Sequence, residues 1–199
     1  MTGIILLAAG ASSRFGTPKQ LAELAGKTLL RRAAETALKA GLGPVNVVLG
    51  AVVQPCRDLL EDLEVTIVVN RDWRRGMSSS ITAGLLPWSD TPLNGVIVLL
   101  ADQPGVNASH LRALVEASVG RSIVASRYAC HLGAPAWFGS EKFGELLSMK
   151  GQKGAKALIA REPNVGSIDF QAAALDVDTP ADLRRAAASA EIYNPYLNE

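Results

Sequence analysis

Residues 4–21, IILLAAGASSRFGTPKQL, run from an apolar stretch into small residues and place Arg14 and Lys19 in the loop that follows. Ala8, Ala9 and Gly10 lack bulk, so backbone N–H groups in this loop can approach a base or phosphate closely, and the two cations can neutralise a polyphosphate. Further on, VIVLLADQP sets Asp102 just past a second apolar run, and LDVDTPADL offers Asp176 and Asp178 ahead of a helix start. Phosphoryl transfer is largely positioning and charge stabilisation, and Mg²⁺ usually takes one or two carboxylates and completes its shell with phosphate oxygens and water. Acids from two distant segments can supply such a set. Plainer readings compete. The small residues could simply make a tight turn, Asp102 could cap the turn before Pro104, and Thr179, Pro180 and Asp182 fit an N-cap, a first helical residue and a first-turn charge. That capping leaves Asp178 unused.

The segment NRDWRRGMSSSITAGL, residues 70–85, adds Ser78, Ser79 and Ser80. Their hydroxyls, and free N–H groups at a helix start, suit a polar base edge or a phosphate. A serine cluster alone more often caps a helix.

The elements that must position these residues can be read from periodicity. Residues 4–7, 45–49, 65–69 and 96–100 are short, β-branched apolar runs, expected as strands buried on both faces. Helical patterns lie between most of them. In 28–40, Leu29, Ala33, Ala37 and Leu38 share a face and Gly41 is placed to stop the helix. Such alternation predicts right-handed crossovers and a Rossmann-like, three-layer α/β/α fold with a mostly parallel sheet. Ligands in such folds sit beyond the carboxyl ends of the strands, where the first loop and Asp102 both fall. After Pro104 the alternation weakens. The expected elements there are a helix near 107–119, a strand near 123–126, an irregular YACHLGAPAWF, and helices in EKFGELLSMK and QKGAKALIARE. The chain reads as one domain, with residues 1–104 as a regular first half and 105–190 as a less regular half that continues the sheet and supplies a second wall.

With 199 residues, 48% of them apolar, the chain can bury a full core, and a formal charge of +1 gives no overall field for a nucleic acid polymer or a membrane. An anion must be held by a local cluster. Cys56 and Cys130 lack metal-binding spacing, which favours a reducing cytoplasm, and the N-terminus reads as neither a signal peptide nor a spanning helix. Only His110 and His131 are present and there is no GxSxG elbow, so a serine hydrolase triad is poorly supported.

Taken together, Leu7, Ala8, Ala9, Gly10, Ser12, Arg14, Gly16 and Lys19 resemble the LAAGxSxRxGxxKxL signature of nucleotidyltransferases with the nucleotide-diphospho-sugar transferase fold. DWxxGMSSSxxAGL, LLADQP and DVDTPADL closely resemble the molybdenum cofactor cytidylyltransferases and their relatives acting on molybdopterin, over residues 4–184; Gly133, Pro135, Gly154 and Ala155 also match. The resemblance implies transfer of CMP from CTP to the terminal phosphate of a molybdopterin-type cofactor, with release of pyrophosphate. It implies Mg²⁺ on Asp102 and Asp178, and catalytic roles for Arg14, Lys19 and Asp102. Nucleotide contacts would come from Leu7, Ala8, Ala9, Gly10, Ser12, Arg14, Lys19, Ser79, Ser80 and Asp102. The resemblance places the nucleotide on residues 1–104 and the acceptor on 105–190. Arg127, Lys153 and Lys156 are candidate contacts to the acceptor's phosphate, a solvated charged face being the other reading. His131 is a further candidate, an ordinary hydrogen-bonded histidine being its plainer reading. The family often carries a basic residue near Leu132 and an acid near Gln152, and this chain departs there. Ala9, where guanylyl-transferring relatives carry glycine, and the GMSSS run favour CTP over GTP. Two further readings stay open: a GTP- or UTP-using enzyme for another small phosphate, and a non-catalytic accessory in transient contact with a client molybdoenzyme.

Overall fold

A computed structural model describes residues 1–151 and 154–193, with side chains to position 188. In chain order its elements are β1 (Thr2–Ala8), β2 (Glu23–Leu24), β3 (Lys27–Thr28), α1 (Leu29–Ala40), β4 (Val45–Leu49), α2 (Gln54–Asp58), β5 (Thr66–Val69) and α3 (Met77–Leu85). There follow β6 (Gly95–Leu100), α4 (Ala108–Glu116), β7 (Ile123–Tyr128), β8 (His131–Gly139), α5 (Phe143–Ser148), α6 (Lys156–Arg161), β9 (Gly166–Asp169) and α7 (Pro180–Tyr193).

Among the described residues, seven strands form one sheet in the order β5-β4-β1-β6-β8-β7-β9. β5, β4, β1 and β6 are parallel, β8 runs antiparallel to both β6 and β7, and β9 returns parallel to β7. Every residue of β1 is buried, and its side chains alternate between two cores. Ile4, Leu6 and Ala8 pack with Leu30 and Ala34 of α1 and Leu111 of α4, whereas Ile5 and Leu7 pack with Ile81 of α3, Leu146 of α5 and Ile159 of α6. The result is the expected three-layer architecture. Local signals agree with the helix ends. Thr28 Oγ1 accepts from Arg31 N at 3.3 Å, Gly41 closes α1 in the left-handed region at φ 63°, and Asn107 caps α4.

The sequence reading differs from the structure mainly in the second half. YACHLGAPAWF is not irregular but contains most of β8, and α2 and β9 were not anticipated. Gly133 and Pro135 break the strand pattern. The hairpin between β7 and β8 turns on Ala129 and Cys130, at φ 46° and 64°, with no glycine to announce it. No helix of the described residues is long and apolar enough to cross a membrane.

Candidate active site

β1 and β6 are adjacent and parallel, in register from Thr2↔Gly95 to Leu7↔Leu100. Their carboxyl ends therefore deliver the loop after Ala8 and the Asp102 segment to one edge of the sheet. A cleft of about 820 Å³ opens there, within the range of small-ligand sites. Of the expected nucleotide contacts, Leu7, Ala8, Ala9, Gly10, Ser12, Arg14, Lys19, Ser80 and Asp102 line it, together with Asp178.

Three ion pairs tie the cleft together. Lys19 Nζ stands 2.5 Å from Asp102 Oδ2 and 3.0 Å from Asp178 Oδ1, and Arg14 lies 3.0 Å from Asp178 Oδ2. Lys19 and Asp102 are each only 19% exposed, so their attraction is poorly screened. Arg14 is 73% exposed, and its pair contributes little to stability. Burial acts to lower the Lys19 pKa, but Asp102 and then Asp178 outweigh it and hold the ammonium above its ordinary value. Asp178 remains available because Asp182 does the capping. Asp182 Oδ2 accepts from Asp178 N, Thr179 N and Thr179 Oγ1 at 3.2, 2.8 and 2.8 Å, and Thr179 Oγ1 accepts in return from Asp182 N.

A divalent cation fits this donor set. Asp102 Oδ1 is buried without a hydrogen-bond partner, and two carboxylates from separate segments are the hard oxygen ligands such an ion prefers. No cluster of three or more His, Cys, Asp or Glu ligands occurs among the described residues. Phosphate oxygens and water would have to complete the shell.

Several expected contacts lie elsewhere. Ser79 Oγ lies 3.0 Å from Asp72 O and 2.8 Å from Gly76 O, either of which can take its single proton, and accepts from Asn70 Nδ2, so it closes the turn ahead of α3 instead of facing the cleft. Arg127 pairs with Asp169 at 3.7 Å and donates to Ser167 Oγ across the β7–β9 edge, and His131 turns its ring to Ala129 O. Neither residue lines the cleft. Lys153, like Gln152, lies outside the described residues.

Trp73, Arg74 and Tyr128 also line the cleft, and no role is assigned to them from the sequence. Trp73 and Arg74 stand at one wall, the guanidinium 4.5 Å over the indole. Tyr128 is 5% exposed. Burial foremost, and the charge on Asp176, push its phenol up. Asp176, offered by the sequence beside Asp178, also lines the cleft, its carboxyl raised above its own ordinary value by desolvation and then by repulsion from Asp102. The DWxxG pattern was the available signal for Trp73; nothing in the linear order marks Tyr128. Lys156, at the start of α6, does reach the cleft.

The sheet and its helices have the nucleotide-diphospho-sugar transferase fold, which solved structures at 14–19% identity share. The chain belongs to the MobA-like NTP transferase domain family, whose pattern matches residues 4–165. It is 42% identical over 130 residues to the nicotine blue oxidoreductase of Paenarthrobacter nicotinovorans, a match covering 64% of this chain and 57% of that protein. It is 28% identical over 195 residues to the purine catabolism protein PucB of Bacillus subtilis, covering 89% and 92% of the two chains. The chain thus spans less than two thirds of the first relative and nearly all of the second. Among solved structures, Rv0371c of Mycobacterium tuberculosis in complex with manganese superposes with a TM-score of 0.79 at 30% identity, covering 94% of this chain and 98% of that one.

Proposed function

We propose that this protein transfers CMP from CTP to the terminal phosphate of a molybdopterin-type cofactor and releases pyrophosphate. The observation that carries this reading is the meeting of Lys19 with Asp102 and Asp178, 83 and 159 positions away, at the end of the first strand. A phosphate oxygen of the acceptor would form a bond to the α-phosphorus as the bond to the β-phosphate oxygen breaks. The acceptor is already largely ionised near neutral pH, its second pKa being about 6, so no strong general base is needed. Arg14 and Lys19 would offset charge on the departing pyrophosphate. A divalent cation held by Asp102 and Asp178 would supply further neutralisation of the phosphates. The manganese complex of the Rv0371c protein supports such an ion here. Ala9, 6% exposed at the cleft wall, narrows the site by one methyl group relative to glycine. That discriminates against a larger base by about 1–3 kcal/mol.

Asp102→Asn removes one anionic ligand with little change of shape. Pyrophosphate release with saturating CTP, cofactor and Mg²⁺ is expected to fall at least a hundredfold; an unchanged rate would refute the metal assignment. The 42% identity to an oxidoreductase favours one second reading, a redox enzyme binding a dinucleotide in the same cleft. Oxidation of a reduced nicotinamide dinucleotide, undiminished in Asp102→Asn and without pyrophosphate release from any nucleoside triphosphate, would select that reading. It has no use for two converging acids.

A further inference from the structure

Gln20 is a glutamine directly after the catalytic-loop lysine, yet it is only 3% exposed. Its amide is almost fully engaged. Nε2 donates to the carbonyls of Ala8 and Gly10 at 3.0 and 2.7 Å, and Oε1 accepts from Ser12 Oγ at 3.2 Å. Ser12 Oγ in turn accepts from the Lys19 backbone N–H at 3.0 Å, closing a ring that joins both ends of the loop. Ser12 sits in the left-handed region at φ 56°, a conformation that costs a non-glycine residue free energy and that this ring sustains.

The ring has a directional consequence. A trans peptide is planar, with its C=O and the following N–H pointing to opposite sides. Fixing the Gly10 carbonyl on Gln20 therefore turns the Ala11 N–H to the side away from Gln20, and fixing the Ala8 carbonyl does the same for Ala9. Ala9, Ala11 and Gln20 all line the cleft. The Ala11 N–H donates none of the described hydrogen bonds, so it is free for an anion. Without the two Nε2 bonds, carbonyl oxygens could rotate toward the cleft and repel phosphate instead of binding it.

We infer that Gln20 is a positioning residue, one that orients the amides of the first loop toward the nucleotide's phosphates through the two carbonyls its Nε2 holds. The inference rests on the proposed nucleotide site and deepens it. The test uses the full chain, as wild type, Gln20→Met and Ser12→Ala, titrated calorimetrically with inorganic tripolyphosphate in magnesium buffer. The amide resonance of Ala11 is followed in parallel. Gln20→Met keeps the side-chain volume and removes both donors. It is expected to bind tripolyphosphate at least tenfold more weakly and to lose the shift of the Ala11 resonance that wild type shows, with unfolding still cooperative. Ser12→Ala removes one arm of the ring and is expected to lose about threefold, and it carries the comparison should Gln20→Met not fold. Equal binding by wild type and the folded variants, or a wild-type Ala11 resonance unmoved as the anion binds, overturns the inference while leaving the nucleotide site standing. A wild type that binds neither tripolyphosphate nor CTP overturns the inference together with the site.

Discussion

At the scale of single residues, Lys19 occupies the ground between two carboxylates that a divalent cation would also claim. Like charges of one and two units about 4 Å apart repel by roughly 8 kcal/mol at an effective dielectric near 20, twice the unit-charge value. The ammonium and an ion could not both hold Asp102 Oδ2 and Asp178 Oδ1, and an ion using those oxygens would require Lys19 to turn from the acids. Lys19→Met is expected to bind Mn²⁺ in the absence of nucleotide at least fivefold more tightly than wild type, and to bind CTP more weakly. Free Mn²⁺ measured by electron paramagnetic resonance checks the first part, and a variant with unaltered or weaker Mn²⁺ binding would exclude competition at this position. The types and approximate positions of Arg14, Lys19, Asp102 and Asp178 were legible because each follows a recognisable strand end or precedes a helix cap. Gln20 and Tyr128 were not, because a glutamine and a tyrosine look the same in sequence whether solvated or buried, and their partners are backbone carbonyls or residues far along the chain.

At the scale of elements, the cleft depends on how closely α3 lies on β1 and β4. Gly84, inside α3, makes that approach possible: a Cβ there would stand 2.5 Å from Ile5 Cγ2 and 2.8 Å from Val48 Cγ2. Asn46, 1% exposed on β4, donates to the Gly84 carbonyl at 2.8 Å and fixes the helix along its axis. Gly84→Ala is expected to destabilise the fold by about 1–2 kcal/mol despite the better helix propensity of alanine, because contacts this short put overpacking at the upper end of about 1–3 kcal/mol, against the roughly 1 kcal/mol that propensity returns. Chemical denaturation measures this, and a stabilised variant would mean that α3 can shift outward at little cost. A shift of that kind would also move Ser80 at the cleft wall. The strands of the first half could be read because parallel strands buried on both faces leave continuous apolar runs. β8 could not, since its glycine and proline imitate a loop. Its pairing with β6 and β7 reverses the direction that strict βαβ alternation predicts.

At the scale of the whole molecule, a buried histidine with no part in the proposed chemistry ties α4 to the second half of the sheet. His110 on α4 is 4% exposed, lies 2.7 Å through Nε2 from Ser126 Oγ on β7, and stacks at 3.8 Å on Phe170 beyond β9. Ser126 Oγ donates to Pro135 O on β8 at 2.6 Å, so its proton is committed and His110 Nε2 must be the donor in their bond. The neutral ring thus joins α4, β7 and β8, and a second proton would fall on Nδ1. Burial accordingly lowers the His110 pKa from 6.5 to about 4. The unfolded chain then binds the proton more readily than the folded one, so stability is complete above pH 6.5 and is lost as pH falls toward 4. The loss expected by pH 5 is about 2 kcal/mol, following from about 1.4 kcal/mol per unit of pKa difference. Urea unfolding of wild type and His110→Gln at pH 7 and pH 5 isolates this contribution from the carboxylates, which titrate in both proteins. The wild type should lose about 2 kcal/mol more than the variant across that interval. Parallel losses would place the linkage on other groups and leave His110 as packing alone.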